Sequence, residues 1–181
     1  MITKAEWRSG EYHSRPEFST QSKYYDSVSE FVQTYGEPTK EDMIVARSGE
    51  YKEFQKKEIG ASWNPSLNNT RSVAKLYGAD TIYAMFVPKG TMAVHFQVGE
   101  GEGRCTLEEE YVFDIKGMGL NCKKGWGEGK HHLGIIARHK GEWDYATSDF
   151  ETDKDFENWQ LLRKDWLASM SGTDTFNTFF D

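Results

Sequence analysis

The run Leu107-Glu108-Glu109-Glu110-Tyr111-Val112-Phe113 constrains the fold most, because three carboxylates lead directly into an apolar alternation that reads as a strand entering a core. Side chains along a strand point alternately to its two faces, so Glu108 and Glu110 are expected on one face and Glu109 on the other. Two acids on one face at the mouth of a sheet suit a cation, a sugar hydroxyl or a guanidinium. No chemistry is assigned to Glu109.

Such a strand needs neighbours, and the rest of the chain offers them. Met43-Ile44-Val45-Ala46 is a short apolar run ending at Arg47-Ser48-Gly49, which reads as a buried strand that delivers an arginine to a turn. Residues 60–63 form a short strand broken at Pro65, since proline restricts its predecessor and cannot donate to a ladder. A polar loop over 64–69 leads to a helix over 70–77, with Thr70 as N-cap and Gly78 as the stop. Two β-rich runs, 81–87 and 91–98, are joined by Pro88-Lys89-Gly90 and are expected to pair. A glycine-rich surface loop over 99–103 feeds the glutamate strand, expected over 107–115, and 133–137 reads as a further strand.

Helical spacing marks two more segments. Phe18, Tyr25, Val28, Phe31, Val32 and Tyr35 predict an amphipathic helix over 18–35, closed by Gly36 and Pro38. Phe156, Trp159, Leu162, Trp166, Leu167 and Met170 predict another over 155–170, followed by a tail in which Phe176, Phe179 and Phe180 tuck back. The sum is a single α+β domain with an antiparallel or mixed sheet at its centre.

The bulk numbers narrow the function classes. A chain of 181 residues suffices for one domain with a sizeable core. With 22 Lys and Arg against 29 Asp and Glu, the formal charge of -7 argues against a generic phosphate-backbone binder. No apolar stretch approaches the roughly 20 residues that span a bilayer, and the N-terminus lacks the apolar region of a signal peptide. A soluble, cytoplasmic protein without a membrane partner is expected. Cys105 and Cys122 fit free thiols in a reducing compartment, with one disulfide left open. His95, His131, His132 and His139, together with the cysteines, show no zinc spacing, so no metal is expected.

Three polar elements stand on or beside strands in the order Arg47, Ser62, then Glu108-x-Glu110. That order resembles the arginine-specific branch of the mono-ADP-ribosyltransferases, of bacterial exoenzyme or bacteriophage type. Residues 62–114 carry the match: a serine strand, a loop, a short helix ending at Tyr77-Gly78, two strands around Pro88-Lys89-Gly90-Thr91, a glycine-rich loop, and Glu-x-Glu before Tyr-Val-Phe. This is about a third of the chain; the first 40 residues and those after Lys116 carry no specific match. The resemblance implies a mixed or antiparallel β-sandwich core of the ADP-ribosyltransferase type: an N-terminal helical part over 1–40, an NAD-binding core over about 41–140, and a C-terminal helical extension over 141–181. It implies NAD as co-substrate and no metal.

In such an enzyme Glu110 would accept a hydrogen bond from the ribose 2′-hydroxyl and oppose the positive charge that develops as nicotinamide leaves. Glu108 would align or deprotonate the acceptor, Ser62 would orient the glutamate, and Arg47 would offer its planar fork to a phosphate or the ribose. The same resemblance implies that Arg47, Ser48, Gly49, Ser62, Trp63, Asn64, Arg71 and Glu110 contact NAD. By strand alternation Trp63 turns to the core side. The chain departs from the family where Ser62-Trp63-Asn64 replaces Ser-Thr-Ser, where only a short connection separates Arg47 from Ser62, and in its C-terminal helix. Arg71 is an alternative phosphate contact.

The expected acceptor is an arginine on a target protein in the cytoplasm, the host cytoplasm if the chain is phage-encoded; a nucleic acid is the weaker alternative. Two other classes fit the residues: an NAD glycohydrolase with the same pocket, in which water is the acceptor, and a non-catalytic aromatic-rich module that binds sugar or protein.

Overall fold

A capping box starts the first helix. Thr3 Oγ1 accepts the Glu6 N–H at 3.1 Å and the Glu6 carboxylate accepts the Thr3 N–H at 3.3 Å, which opens α1 (Lys4–Ser9); Gly10, at φ 80, closes it. Two short 3-10 turns, Glu11–Ser14 and Pro16–Phe18, follow. The second helix, α2 (Gln21–Tyr35), therefore begins later than its apolar spacing suggests, because Pro16 sets a 3-10 turn and Thr20 is the residue whose hydroxyl caps the Lys23 N–H. Tyr25, Val28, Phe31 and Val32 form its buried stripe.

The computed structural model describes residues 1–56, 59–102, 108–119, 134–138 and Lys164, with 54–56 and 134–138 described by backbone alone. After α2 come β1 (Glu37–Pro38), β2 (Met43–Gly49), α3 (Tyr51–Lys56), β3 (Ser62–Trp63), α4 (Leu67–Tyr77), β4 (Thr81–Val87), β5 (Met92–Phe96), β6 (Glu110–Phe113) and β7 (Gly134–Arg138). The strands make two sheets, one in the order β1-β5-β6-β3 and one in the order β2-β4-β7, and every described pairing is antiparallel. The architecture is α+β, as the patterning predicts. Helix α2 packs on β5 and β6, and α4 packs on β2 and β4.

The core lies between these layers. Tyr83, Met85 and Val87 of β4 join Val94 and Phe96 of β5, Val112 and Phe113 of β6, and the stripe of α2 in one buried cluster. Every residue of β4 is buried, the mark of a strand covered on both faces.

Three expectations need correction. The runs over 81–87 and 91–98 do not pair: β4 is central in one sheet and β5 belongs to the other, and the turn between them carries the chain across. Its polar groups bond to Thr39, with Gly90 N–H on Thr39 O and Thr39 N–H on Thr91 O, both at 2.9 Å. Helix α4 starts at Leu67 under a Ser66 cap, whose hydroxyl accepts the Asn69 N–H at 3.2 Å, while the Thr70 hydroxyl donates back to Ser66 O at 2.8 Å. The glutamate strand begins only at Glu110; Glu108 lies in a bend before it.

Of the helix over 155–170, only Lys164, in helical conformation, is described. The aromatic tail, Cys105, Cys122, His131, His132 and His139 lie outside the described residues, as does the rest of the C-terminal extension. Among the described residues no helix is long and apolar enough to cross a membrane.

Candidate active site

Among the described residues one isolated bridge links the two sheets. Ala46 and Asn64 exchange both backbone hydrogen bonds at 2.8 Å, which sets the end of β2 against β3 and brings Arg47 beside Ser62. Arg47 NH1 donates to Ser62 O at 3.2 Å, and its guanidinium lies so close to Gly60 that a β-carbon there would stand 2.3 Å from Arg47 Cζ. Glycine is the residue that admits this approach. Two tyrosines of α2 hold the same segment: Tyr25 OH donates to Ile59 O at 2.9 Å, and Tyr24 OH accepts the Ala61 N–H at 3.0 Å.

Pairing of β3 with β6 sets Ser62 opposite Val112, so the side chain of Glu110 lies diagonally next to Ser62 on the same face. The Ser62 hydroxyl donates to Glu110 Oε2. The same oxygen accepts Trp7 Nε1–H at 3.0 Å, and Glu110 Oε1 accepts Arg8 NH1 at 3.1 Å. A carboxylate offers about four lone-pair positions. Among the described residues both on Oε2 are engaged, and one of the two on Oε1 is.

Glu108 enters the same space from the bend. Asn64 Nδ2 lies 3.5 Å from Glu108 Oε2, while Asn64 Oδ1 accepts the Ser66 N–H at 2.8 Å. Burial pushes the Glu108 carboxyl above the ordinary glutamate range; the Asn64 amide works against that, and the charge of Glu110 adds to it. Glu109 turns elsewhere, onto His95 Nε2 at 2.7 Å, and His95 stacks on Tyr111 with ring centroids 4.1 Å apart.

Two cavities adjoin the cluster. One, of about 390 Å³, runs past Ser48, Gly49, Asn64, Thr70 and Val73; the other, of about 550 Å³, is walled by Trp7, Tyr12, Phe18 and Tyr24. Arg47, Glu53, Ser62, Glu108 and Glu110 line both. The residues expected from sequence therefore divide. Arg47, Ser48, Gly49, Ser62, Asn64, Glu108 and Glu110 stand around one space. Trp63 lines its wall while its indole is only 2% exposed and donates to Gly60 O at 3.0 Å, so the ring belongs to the core. Arg71 does not line either cavity; its NH1 lies 3.4 Å from Asn68 Oδ1 along α4.

Three residues of the site escape the sequence reading. Glu53 of α3 faces Arg47 with Oε2 3.7 Å from Nε, and its carboxylate sits 2.9 Å from where a β-carbon on Gly49 would be. Burial pushes Glu53 upward against the opposing effect of Arg47. Burial works against the charge of Arg47, yet Glu53 and nearby tyrosines hold its guanidinium above its ordinary value. Trp7 and Arg8 are the other two. The Thr3-x-x-Glu6 capping box signals their helix, but no local pattern says that its arginine points inward.

The arrangement has definite chemical capacities. One carboxylate is fixed by three donors beside an acidic neighbour, a combination that stabilises positive charge developing next to it. The second carboxyl, raised by burial above the ordinary glutamate range, is placed to exchange a proton. Among the described residues no group of His, Cys, Asp and Glu is arranged to hold a metal ion. No protein-family model, no curated protein and no solved structure matches this chain.

Proposed function

We propose that the chain is an NAD-dependent mono-ADP-ribosyltransferase whose acceptor is an arginine on a target protein. The observation that carries this reading is the hydrogen bond from Ser62 to Glu110 on a wall shared with Arg47 and Glu108. In the reaction the bond between the ribose C1′ and nicotinamide breaks, and its electron pair leaves with the nicotinamide. The acceptor nitrogen forms a new bond to C1′ and its proton passes to Glu108. Glu110, with one acceptor position on Oε1 not taken by any described residue, suits a ribose hydroxyl and opposes the charge at C1′. A raised Glu108 carboxyl is a stronger base than an ordinary glutamate, as a guanidinium acceptor demands. Arg47, backed by Ser48 and Gly49, is the cation for the pyrophosphate.

The test is incubation of the protein with labelled NAD and an arginine-bearing acceptor, with nicotinamide release and acceptor labelling followed separately. Glu110→Gln is expected to lower both by about 10²–10³-fold, the scale of losing one preorganised electrostatic group. Glu108→Gln is expected to lose labelling while keeping part of the nicotinamide release, because water needs less activation than guanidinium. Equal loss of the two activities in Glu108→Gln contradicts the acceptor role, and a wild-type protein that releases no nicotinamide sinks the enzyme reading. Mass spectrometry of co-expressed proteins for an added ADP-ribose then identifies the acceptor.

A further inference from the structure

We infer that Arg8 and Trp7, on the first helix of the chain, are positioning residues that hold Glu110 in its working orientation and tie that orientation to the segment entering β6. The inference rests on the transferase reading of Glu110. Arg8 is 1% exposed, and a guanidinium so buried is tolerated only when its donors are satisfied. Four acceptors surround it. Its Nε donates to Glu100 O at 2.9 Å, NH1 to Glu110 Oε1 at 3.1 Å, and NH2 to Gln97 O at 3.0 Å and to Glu108 O. One planar group thus joins the residues just after β5, the backbone of the proposed acceptor-aligning glutamate, and the carboxylate of the proposed catalytic one.

Trp7 completes the hold from the other side. Its indole is stacked between Tyr12 at 4.3 Å and Phe31 at 5.0 Å, nearly parallel to both, and is 1% exposed, so the Nε1–H aimed at Glu110 Oε2 has little freedom to turn away. Phe31 belongs to the stripe of α2, which anchors this bond to the core. Without the two donors Glu110 would keep, among the described residues, the Ser62 hydroxyl and could rotate off the face it shares with the cavity. A displacement of about 1 Å at such a group costs on the order of 100-fold in rate. Because these donors bond to Glu110 and to backbone carbonyls and not to Arg47, the cation assigned to the pyrophosphate, their loss should lower kcat more than it weakens NAD binding.

The experiment measures kcat and KM for nicotinamide release, with thermal midpoints, in Trp7→Phe, Arg8→Lys and Phe31→Leu. Trp7→Phe keeps the stacked ring and deletes one donor to a charged acceptor, so kcat is expected to fall about tenfold with KM for NAD within about twofold of wild type. Arg8→Lys keeps the charge but has one ammonium where four acceptors stand, and kcat is expected to fall about 100-fold with the same small change in KM. Phe31→Leu loosens the stack that fixes Trp7 but leaves the donor in place, and is expected to lower kcat less than Trp7→Phe does. If Arg8→Lys does not fold, Trp7→Phe alone decides. An unchanged kcat in Trp7→Phe, or a rise in KM that accounts for the whole loss, overturns the positioning role while leaving the enzyme reading in place. A wild-type protein that releases no nicotinamide overturns both.

Discussion

Asn64 is the residue at which the chain departs most visibly from the serine motif it resembles, and its amide has two jobs. Nδ2 faces Glu108 and Oδ1 caps the Ser66 N–H, so the loop geometry and the orientation of the carboxylate are held by one planar group. The hydrogen bond from Asn64 lowers a Glu108 pKa that burial raises. Removing it in Asn64→Leu must therefore raise that pKa further. If the proposed transferase reading holds, transfer needs ionised Glu108, and the acid limb of its pH profile is expected to move to higher pH in Asn64→Leu. A limb that stays in place or moves down contradicts this account. Trp63, beside it, was readable from alternation alone: a residue flanking Ser62 on a strand faces the other way, and its ring is in the core. Arg8 was not readable, because an arginine in a short polar helix is ordinarily a solvated one.

At the scale of elements, α4 carries the clearest consequence. Both Ser66 and Thr70 precede apolar positions and fit an N-cap by type, and packing of Leu67 against the core selects the earlier one. Ser66→Ala is expected to cost about 1 kcal/mol in urea unfolding, with a Thr70→Val variant costing less; the reverse order would restore Thr70 as the cap. The pairing of residues 81–87 with 91–98 failed for a related reason. A proline-glycine turn between two apolar runs has the local chemistry of a hairpin, but β4 is buried at every position and on both faces, which only a central strand in a covered sheet allows. Its partners, β2 and β7, come from far away in sequence. The glutamate strand was shortened similarly: Glu108 leaves the ladder, where the Glu108 carbonyl accepts from Arg8.

At the scale of the whole molecule, the half-buried acids Glu53 and Glu108 are carboxyls that partial burial pushes above the reference value of 4.5. In the folded state each retains a proton that the unfolded chain has already released. Their contribution to stability is therefore complete below pH 4.5 and is lost as pH rises through the raised values. Compared with the double variant Glu53→Gln/Glu108→Gln, the wild type is expected to lose unfolding free energy progressively from pH 4.5 toward neutrality, read from urea midpoints at matched pH. A constant difference between the two proteins across that range would remove the linkage. By itself the sequence determined the α+β class, the apolar stripe of α2, the runs that became β2, β4 and β6, and the order of Arg47, Ser62 and the glutamates, since periodicity and turn chemistry act over a few residues. Only the tertiary structure decided that β4 and β5 part into different sheets, that Glu53 faces Arg47, and that Trp7 and Arg8 from the start of the chain close on Glu110. Those outcomes depend on covering both faces of a buried strand and on giving the buried donors of Trp7 and Arg8 their acceptors, and both requirements are met by partners that no local pattern names.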